Sequence, residues 1–286
     1  MRKYTFDYRY FQKIDSKNKA YWLGWIISDG SLNKNNVRLR IQEGDLKILE
    51  KFKLDIKYSG NITIEPNYKK EWKNLCNLTL SSVNLIQDLN NLRVLSNKSH
   101  NTTFPDIPEE FYSHFIRGVF DGDGCIHVNK NGFFHFHITG HIKLITQINK
   151  IIAKGSNIKE TVIHLRSNNS TSTLNYSGNN VVRKIRDWLY LDCSDLFLQR
   201  KYDKFYNSDS KLTSQKYLEE NPKAKFTNQQ VIEIFTSTTK NIDMAKKFNV
   251  KPSTIAAIKT IQNWSDITKD LQRGFSNGIK NRIKVR

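Results

Sequence analysis

The chain is short of three things. Its 286 residues hold only three cysteines, Cys76, Cys125 and Cys193. They are odd in number and far apart, which excludes a disulfide framework or a zinc ribbon. No apolar run approaches the ~20 residues of a membrane-spanning helix, and no basic amphipathic helix fits a bilayer surface. The N-terminus, MRKYTFDYRYFQKID, lacks the uninterrupted apolar core of a secretion signal. Acidic residues are the third shortage: 27 Asp and Glu stand against 46 Lys and Arg, a formal charge of +19. Solubility needs nothing like that charge, whereas a polyanionic partner explains it. The expectation is a reduced, cytoplasmic protein that meets nucleic acid and no membrane. With 38% of the chain apolar or aromatic, two or three units with real cores are expected.

What is present is a repeat. WLGWIISDGSL, residues 22–32, is an apolar run containing Gly24 and ending in Asp29-Gly30. FIRGVFDGDGCI, residues 115–126, has the same layout, with Gly118 and then Asp123-Gly124. The acids are 123 − 29 = 94 residues apart. After the first motif, Val37, Leu39 and Ile41 alternate with Arg38, Arg40 and Gln42, the pattern of a half-buried strand. DLKILEKFKLDI has apolar residues at helical spacing; GNITIE and NLCNLTLS read as strands; SVNLIQDLNNL returns to helix. In the second half, CIHV and FFHFHITG read as strands and IKLITQINKII as a helix. ETVIHLR and STLNYS are again strands, and NNVVRKIRDWL closes with a helix. Each half is thus expected as αββαββα. The fold class is α+β, with two pseudo-twofold halves (1–103 and 104–206) carrying saddle-shaped antiparallel sheets.

Residues 207–225 are polar, contain Pro222 and read as a linker. From 226 on, TNQQVIEIF, NIDMAKKFNV and KPSTIAAIKTIQNW predict three short helices, the last two forming a helix-turn-helix around FNVKPS. In that module Ser253, Thr254 and Lys259 are candidate phosphate or base contacts. A basic tail, GIKNRIKVR, follows.

Glycine inside an apolar helix destabilises it unless backbones must approach closely. Gly24 and Gly118 therefore predict two helices packed side by side, with Asp29 and Asp123 emerging together beneath. Each Asp-Gly alone also fits a simple helix-ending turn; repetition at matched positions favours a paired site. Two carboxylates under a basic saddle suit Mg²⁺ or Mn²⁺, and phosphodiester hydrolysis uses metal-activated water. Asp121 reads as structural, because its counterpart is Ile27.

These two stretches resemble the paired motifs of LAGLIDADG homing endonucleases in their single-chain, monomeric form, with Trp22–Gly30 and Ile116–Gly124 in the nine motif places. The resemblance covers roughly residues 15–205. It implies that Asp29 and Asp123 bind the metal, that the carbonyls of Ser28 and Gly122 assist, and that both DNA strands are cut across the minor groove with 3′ overhangs. The chain departs from the family at Trp22 and Trp25, which are bulkier, and at Gly122, where Ala or Ser is usual. No lysine stands near the end of the fourth strand of either half, around Leu80–Ser82 and Tyr176–Gly178. Lys98 and Lys201 are the candidate basic helpers.

Strand residues facing away from the helices should line the DNA-binding surface. In the first half these are Arg38, Arg40, Gln42, Thr63, Glu65, Asn77, Thr79 and Ser81. In the second they are His135, His137, His164, Arg166, Thr173 and Asn175. His135 and His137 lie two apart on one strand with no cysteine partner, so no zinc site is expected there. The leading function is a site-specific double-strand DNA endonuclease. Its rivals are an intron RNA maturase and a non-catalytic DNA-binding regulator; retention of both acids favours the nuclease. The C-terminal module resembles those attached to phage and intron-encoded nucleases. The chain begins Met-Arg and ends Val-Arg, without the nucleophile or His-Asn pair of an intein, and is expected to be free-standing.

Overall fold

The structure, a computed structural model, describes residues 4–67, 73–95, 102–129, 132–166, 170–206 and 225–260. One compact unit spans Met1–Ser208 and a second spans Asp209–Arg286. The expected linker lies almost wholly outside the described residues, as do Lys98 and the basic tail.

The first unit is the repeat made visible. Its first half runs α1 (Lys17–Ser28), β1 (Gly30–Leu32), β2 (Asn36–Gln42), α2 (Leu46–Asp55), β3 (Thr63–Glu65), β4 (Leu75–Ser81) and α3 (Val83–Asn91). The second runs α4 (Tyr112–Asp123), β5 (Gly124–Val128), β6 (Phe134–His141), α5 (Ile142–Gly155), β7 (Ile163–Leu165), β8 (Thr171–Ser177) and α6 (Asn179–Leu189). Each half builds a four-stranded antiparallel sheet, ordered β1-β2-β4-β3 and β5-β6-β8-β7. The αββαββα order is the one the periodicities predict. A further helix, α7 (199–206), follows the second half and was not read from the sequence.

Alternation decides the sheets' two faces. In β2, Val37, Leu39 and Ile41 are buried while Arg38, Arg40 and Gln42 are exposed. Aromatic contacts join the layers: α1 meets α2 where Trp22 lies 4.8 Å from Phe52, and α4 meets the second sheet where Phe120 stacks at 4.7 Å on Phe136. Trp22 and Trp25 are almost completely buried. Their indole N–H groups still find acceptors: Trp22 donates to the Asp55 carboxylate and Trp25 to the Tyr21 hydroxyl. A buried Trp without such a partner would forfeit much of its apolar gain.

The halves meet where α1 crosses α4. A Cβ on Gly24 would lie 2.2 Å from the Phe115 carbonyl oxygen, and one on Gly118 would lie 2.0 Å from that of Tyr21. The backbones are therefore in direct contact, and no residue larger than glycine fits either place. Polar groups tie the same interface. Tyr21 donates to Asp121 Oδ2 at 2.8 Å, and the Leu198 N–H donates to the same oxygen at 2.9 Å. Asp121 is buried, and burial pushes its carboxyl above the usual carboxylate range. The structural role expected of it is the one its contacts describe.

Arg117 is fully buried beside this network. Its guanidinium donates to the Leu196 and Leu189 carbonyls and to His114 Nδ1, at 3.0, 2.7 and 3.1 Å. Accepting that bond requires a bare nitrogen on His114. Burial, and then the neighbouring guanidinium, push the His114 pKa down to about 4.

The second unit packs α8 (Asn228–Thr236), α9 (Asn241–Lys247) and α10 (Pro252–Lys259) around Val231, Ile234, Met244, Ile255 and Ile258. Thr227 caps α8 in a reciprocal box with Gln230, and Pro252 opens α10.

Two outcomes follow. Gly24→Ala or Gly118→Ala should destabilise the chain by about 3 kcal/mol or more in denaturant titration, because backbone atoms cannot swing aside as side chains do. Gly44→Ala, whose Cβ would find its nearest neighbour, the Lys73 Nζ, at 3.5 Å, should change little. Between pH 6.5 and about 4 the unfolded chain takes up a proton that folded His114 refuses, so stability falls as pH falls. The contribution is ~3 kcal/mol, and in His114→Gln the decline of Tm across that window should be visibly shallower.

Candidate active site

Asp29 caps the end of α1, its N–H bonded to the Trp25 and Ile26 carbonyls, and Asp123 is the last residue of α4. Both carboxylates are exposed although the helices carrying them are buried for most of their length. From Gly24 to Asp29 and from Gly118 to Asp123 is five residues, a rise of ~7.5 Å along each helix. The helices run in the same direction, with Gly24 against Gly118 and Ser28 against Gly122. Two acids carried equally far past one shared contact must end up at one level.

Gly122 measures how closely they converge. A Cβ there would sit 2.0 Å from Ser28 Oγ and 3.3 Å from Asp29 Oδ2. The carboxylate of the first motif thus lies against the residue preceding the second motif's acid. This also explains why the second copy has glycine at the place where the first has serine. Ser28 fills the shared space, its hydroxyl donating to the Gly24 and Trp25 carbonyls. Beside the acids a concavity is lined by Ile27, Ser28, Val119, Asp123, Thr139 and His141, among others.

Lys201, on α7, is not an exposed helper. Its side chain is buried and its ammonium donates to the carbonyls of Phe120, Asp121 and Gly124 at 2.6, 2.7 and 2.6 Å, and to Gly122 at 3.4 Å. These are the orphan carbonyls at the end of α4, which a lysine satisfies while complementing the helix dipole. Burial pushes the Lys201 pKa down to about 8, against the pull of the Asp121 and Asp29 carboxylates. The Gly122 carbonyl, expected to assist the metal, instead faces this ammonium, which a divalent cation would oppose. Lys201 is a positioning residue that holds the second acid's helix end.

The outer faces of the sheets carry the residues expected there, and register refines their roles. Arg38 lies opposite Thr79, and Arg40 opposite Asn77, which lies opposite Thr63 on its other side. Arg40 is paired with Glu65 at 2.9 Å, both exposed. Gln42 and Ser81 are exposed. Asn77, by contrast, is buried, and neither its amide nitrogen nor its oxygen has a partner among the described residues. In the second sheet His164 lies opposite Thr173, whose hydroxyl meets that of Thr139 at 2.9 Å. Asn175 lies opposite His137, and Arg166 is exposed beyond the end of β7.

His135 departs from its expected role in reading bases. Its Nε2 meets the Asn129 amide nitrogen at 3.2 Å and its Nδ1 meets Ser177 Oγ at 3.0 Å, so both ring nitrogens are engaged within the sheet. The reading that His135 and His137 have no cysteine beside them also needs correction. Cys125 lies directly opposite His137 across the β5–β6 pair, and His127 opposite His135. The signal was the alternation in CIH beside HFH, which one hairpin register turns into a cluster. In the second unit Ser253 is exposed and Thr254 half-buried, whereas Lys259 donates to the Thr239 carbonyl at 2.8 Å and so braces the α8–α9 turn.

The complementarity of Ser28 and Gly122 is testable by a double-mutant cycle. Gly122→Ala should cost about 1–3 kcal/mol of stability through overpacking. Adding Ser28→Gly should recover most of it, giving a favourable coupling above about 1 kcal/mol in denaturant titration. Additive losses would mean that the two residues do not share that space.

No family model and no curated protein matches this chain. Among solved structures it is similar to the I-LtrWI LAGLIDADG homing endonuclease bound to target DNA, at 12% identity and a TM-score of 0.47, covering 90% of this chain and 99% of that one. It is also similar to the I-SmaMI LAGLIDADG homing endonuclease bound to cleaved DNA, at 10% identity and a TM-score of 0.45, covering 88% and 98%. Full-length WhiA from Thermatoga maritima is similar at 14% identity and a TM-score of 0.43, covering 94% and 98%. The structural neighbours are thus LAGLIDADG proteins, and at these identities the roles of individual residues rest on this chain's own geometry.

Proposed function

We propose that the chain is a monomeric, site-specific DNA endonuclease that hydrolyses both strands with a divalent metal held by Asp29 and Asp123. The observation that carries this reading is the meeting of the two motif ends at Gly122, where Asp29 Oδ2 comes within 3.3 Å of the Cβ position. Two exposed carboxylates at one place are a hard-oxygen donor set that suits Mg²⁺ or Mn²⁺, with the Ser28 carbonyl as a further oxygen. When bound, the ion supplies an activated water and charge to stabilise the leaving oxygen. The chain's own contribution is to hold both acids in register through the glycine contact and the Lys201 cap.

The exposed sheet faces supply DNA contacts. Arg38 and Gln42 have the side chains for bidentate pairing with guanine and adenine in a major groove. Thr79, Ser81, Thr173 and Asn175 are permissive hydrogen-bonding partners. The net charge of +19 supplies sequence-independent attraction to phosphates. In the second unit α10, opening with Pro252, Ser253 and Thr254, is the proposed recognition helix of a helix-turn-helix. Cutting across the minor groove with 3′ overhangs completes the reading.

A pool of random duplex DNA with Mg²⁺, with cleaved ends sequenced, tests it. The wild type should cut one long site and leave 3′ overhangs. Asp29→Asn and Asp123→Asn should each lose activity, on the order of a thousandfold, while still binding. Affinity should fall by ~10³–10⁵ between 50 and 200 mM salt if six to ten phosphates are contacted. A wild type that binds and never cuts would instead be a nucleic-acid binder, with intron RNA the next ligand to try.

A further inference from the structure

We propose that Cys125, His127 and His137 form a second metal site, distinct from the paired acids, that takes Zn²⁺ or a similar borderline-soft divalent cation. The three side chains stand on the outer face of the second sheet, and one ligand atom from each lies within 4.8 Å of the others. The register requires this grouping. Cys125 and His137 are directly opposed across β5 and β6, and His127 follows Cys125 by two residues, hence on the same face. A tetrahedral zinc site has Zn–S near 2.3 Å and Zn–N near 2.0–2.1 Å, which puts ligand atoms ~3.3–3.8 Å apart. Side-chain rotation of about an ångström closes the difference without moving the strands.

The chemistry of the set separates it from the carboxylate pair. A thiolate and two imidazoles favour zinc strongly over magnesium, whereas two carboxylates are hard donors that also accept magnesium. Three protein ligands leave a fourth position open to water or another small donor. His127 is exposed, and Cys125 and His137 are half-buried, so a cation has access. Among the described residues no hydrogen bond or ion pair engages the thiol or either of these rings. Their ring contacts instead support a fixed geometry. His127 stacks on His135 at 4.7 Å, nearly parallel, and His135 is itself anchored at both nitrogens by Asn129 and Ser177. The stacked, anchored His135 ring limits how far the His127 ring can swing. A bound ion would pin β5 to β6 immediately after Asp123, where the chain leaves the active-site helix.

The test uses the full chain with Co²⁺ alone as the probe. One equivalent should give a thiolate-to-cobalt charge-transfer band and intense visible bands of a tetrahedral centre. Zn²⁺ should bleach both, and excess Mg²⁺ should not. Cys125→Ser should abolish the charge-transfer band, and His137→Ala should weaken binding at least tenfold. Asp29→Asn should leave the band in place, which separates this site from the proposed catalytic one. X-ray absorption on the zinc-loaded wild type should show one sulfur and two nitrogen ligands, a readout that does not depend on any variant folding. No band in the wild type, a band that survives in Cys125→Ser, or a zinc shell without sulfur would overturn the proposal.

Discussion

The contact between the Gly24 and Gly118 backbones sets how near the two halves approach, and most of the site's geometry depends on it. Each motif then counts the same five residues from contact to acid. Because the helices run parallel, equal counts deliver both carboxylates to the same depth. Any Cβ at the contact would force the helices apart and separate the acids at the same time. The hydrogen bonds from Tyr21 and the Leu198 N–H to Asp121 work in the same direction, since a buried carboxylate without its donors is costly. A surface ion pair such as Lys17 with Asp192 also joins the halves, but a pair of this exposure contributes little.

The two halves repeat a topology without repeating their chemistry. Ser28 and Gly122 occupy matched places and divide one space unequally. The second acid's helix end is held by the buried Lys201. Among the described residues, the cysteine and histidine cluster stands on the second sheet, while the first presents arginines on its long strand. A pseudo-twofold scaffold can hold two unlike halves because backbone pairing fixes the fold and leaves the outward faces unconstrained. That freedom suits the recognition of an asymmetric duplex.

Helix and strand order could be read because alternation and helical spacing are local properties. Val37, Leu39 and Ile41 announce a strand without reference to anything distant. The glycine contact was legible for a different reason, since a buried helix has few other uses for Gly24 and Gly118. What the sequence hid was pairing at long range. Nothing near Lys201 says that its ammonium will cap a helix about 80 residues earlier, and α7 itself is too short to show a period. His135 resembles a base reader until register brings Asn129 and Ser177 to its two nitrogens. Asn77 sits at an outward-facing place in β4, yet its neighbours on both sides cover it. Cys125 and His137 are twelve residues apart, and only the β5–β6 register makes them neighbours.

The central claim is that the pairing of the halves brings Asp29 and Asp123 to one place. It can be tested without knowing the DNA target. Asp29→Cys and Asp123→Cys would be combined in a chain that also carries Cys125→Ser, leaving the buried Cys76 and Cys193 as they are. Mild oxidation followed by peptide mapping would report the link. Rapid, intramolecular formation of the 29–123 disulfide in the folded chain is the predicted result, since a disulfide forms only where Cβ atoms come within ~4.5 Å after small adjustments. A pair that stays reduced while the chain remains folded would contradict the account.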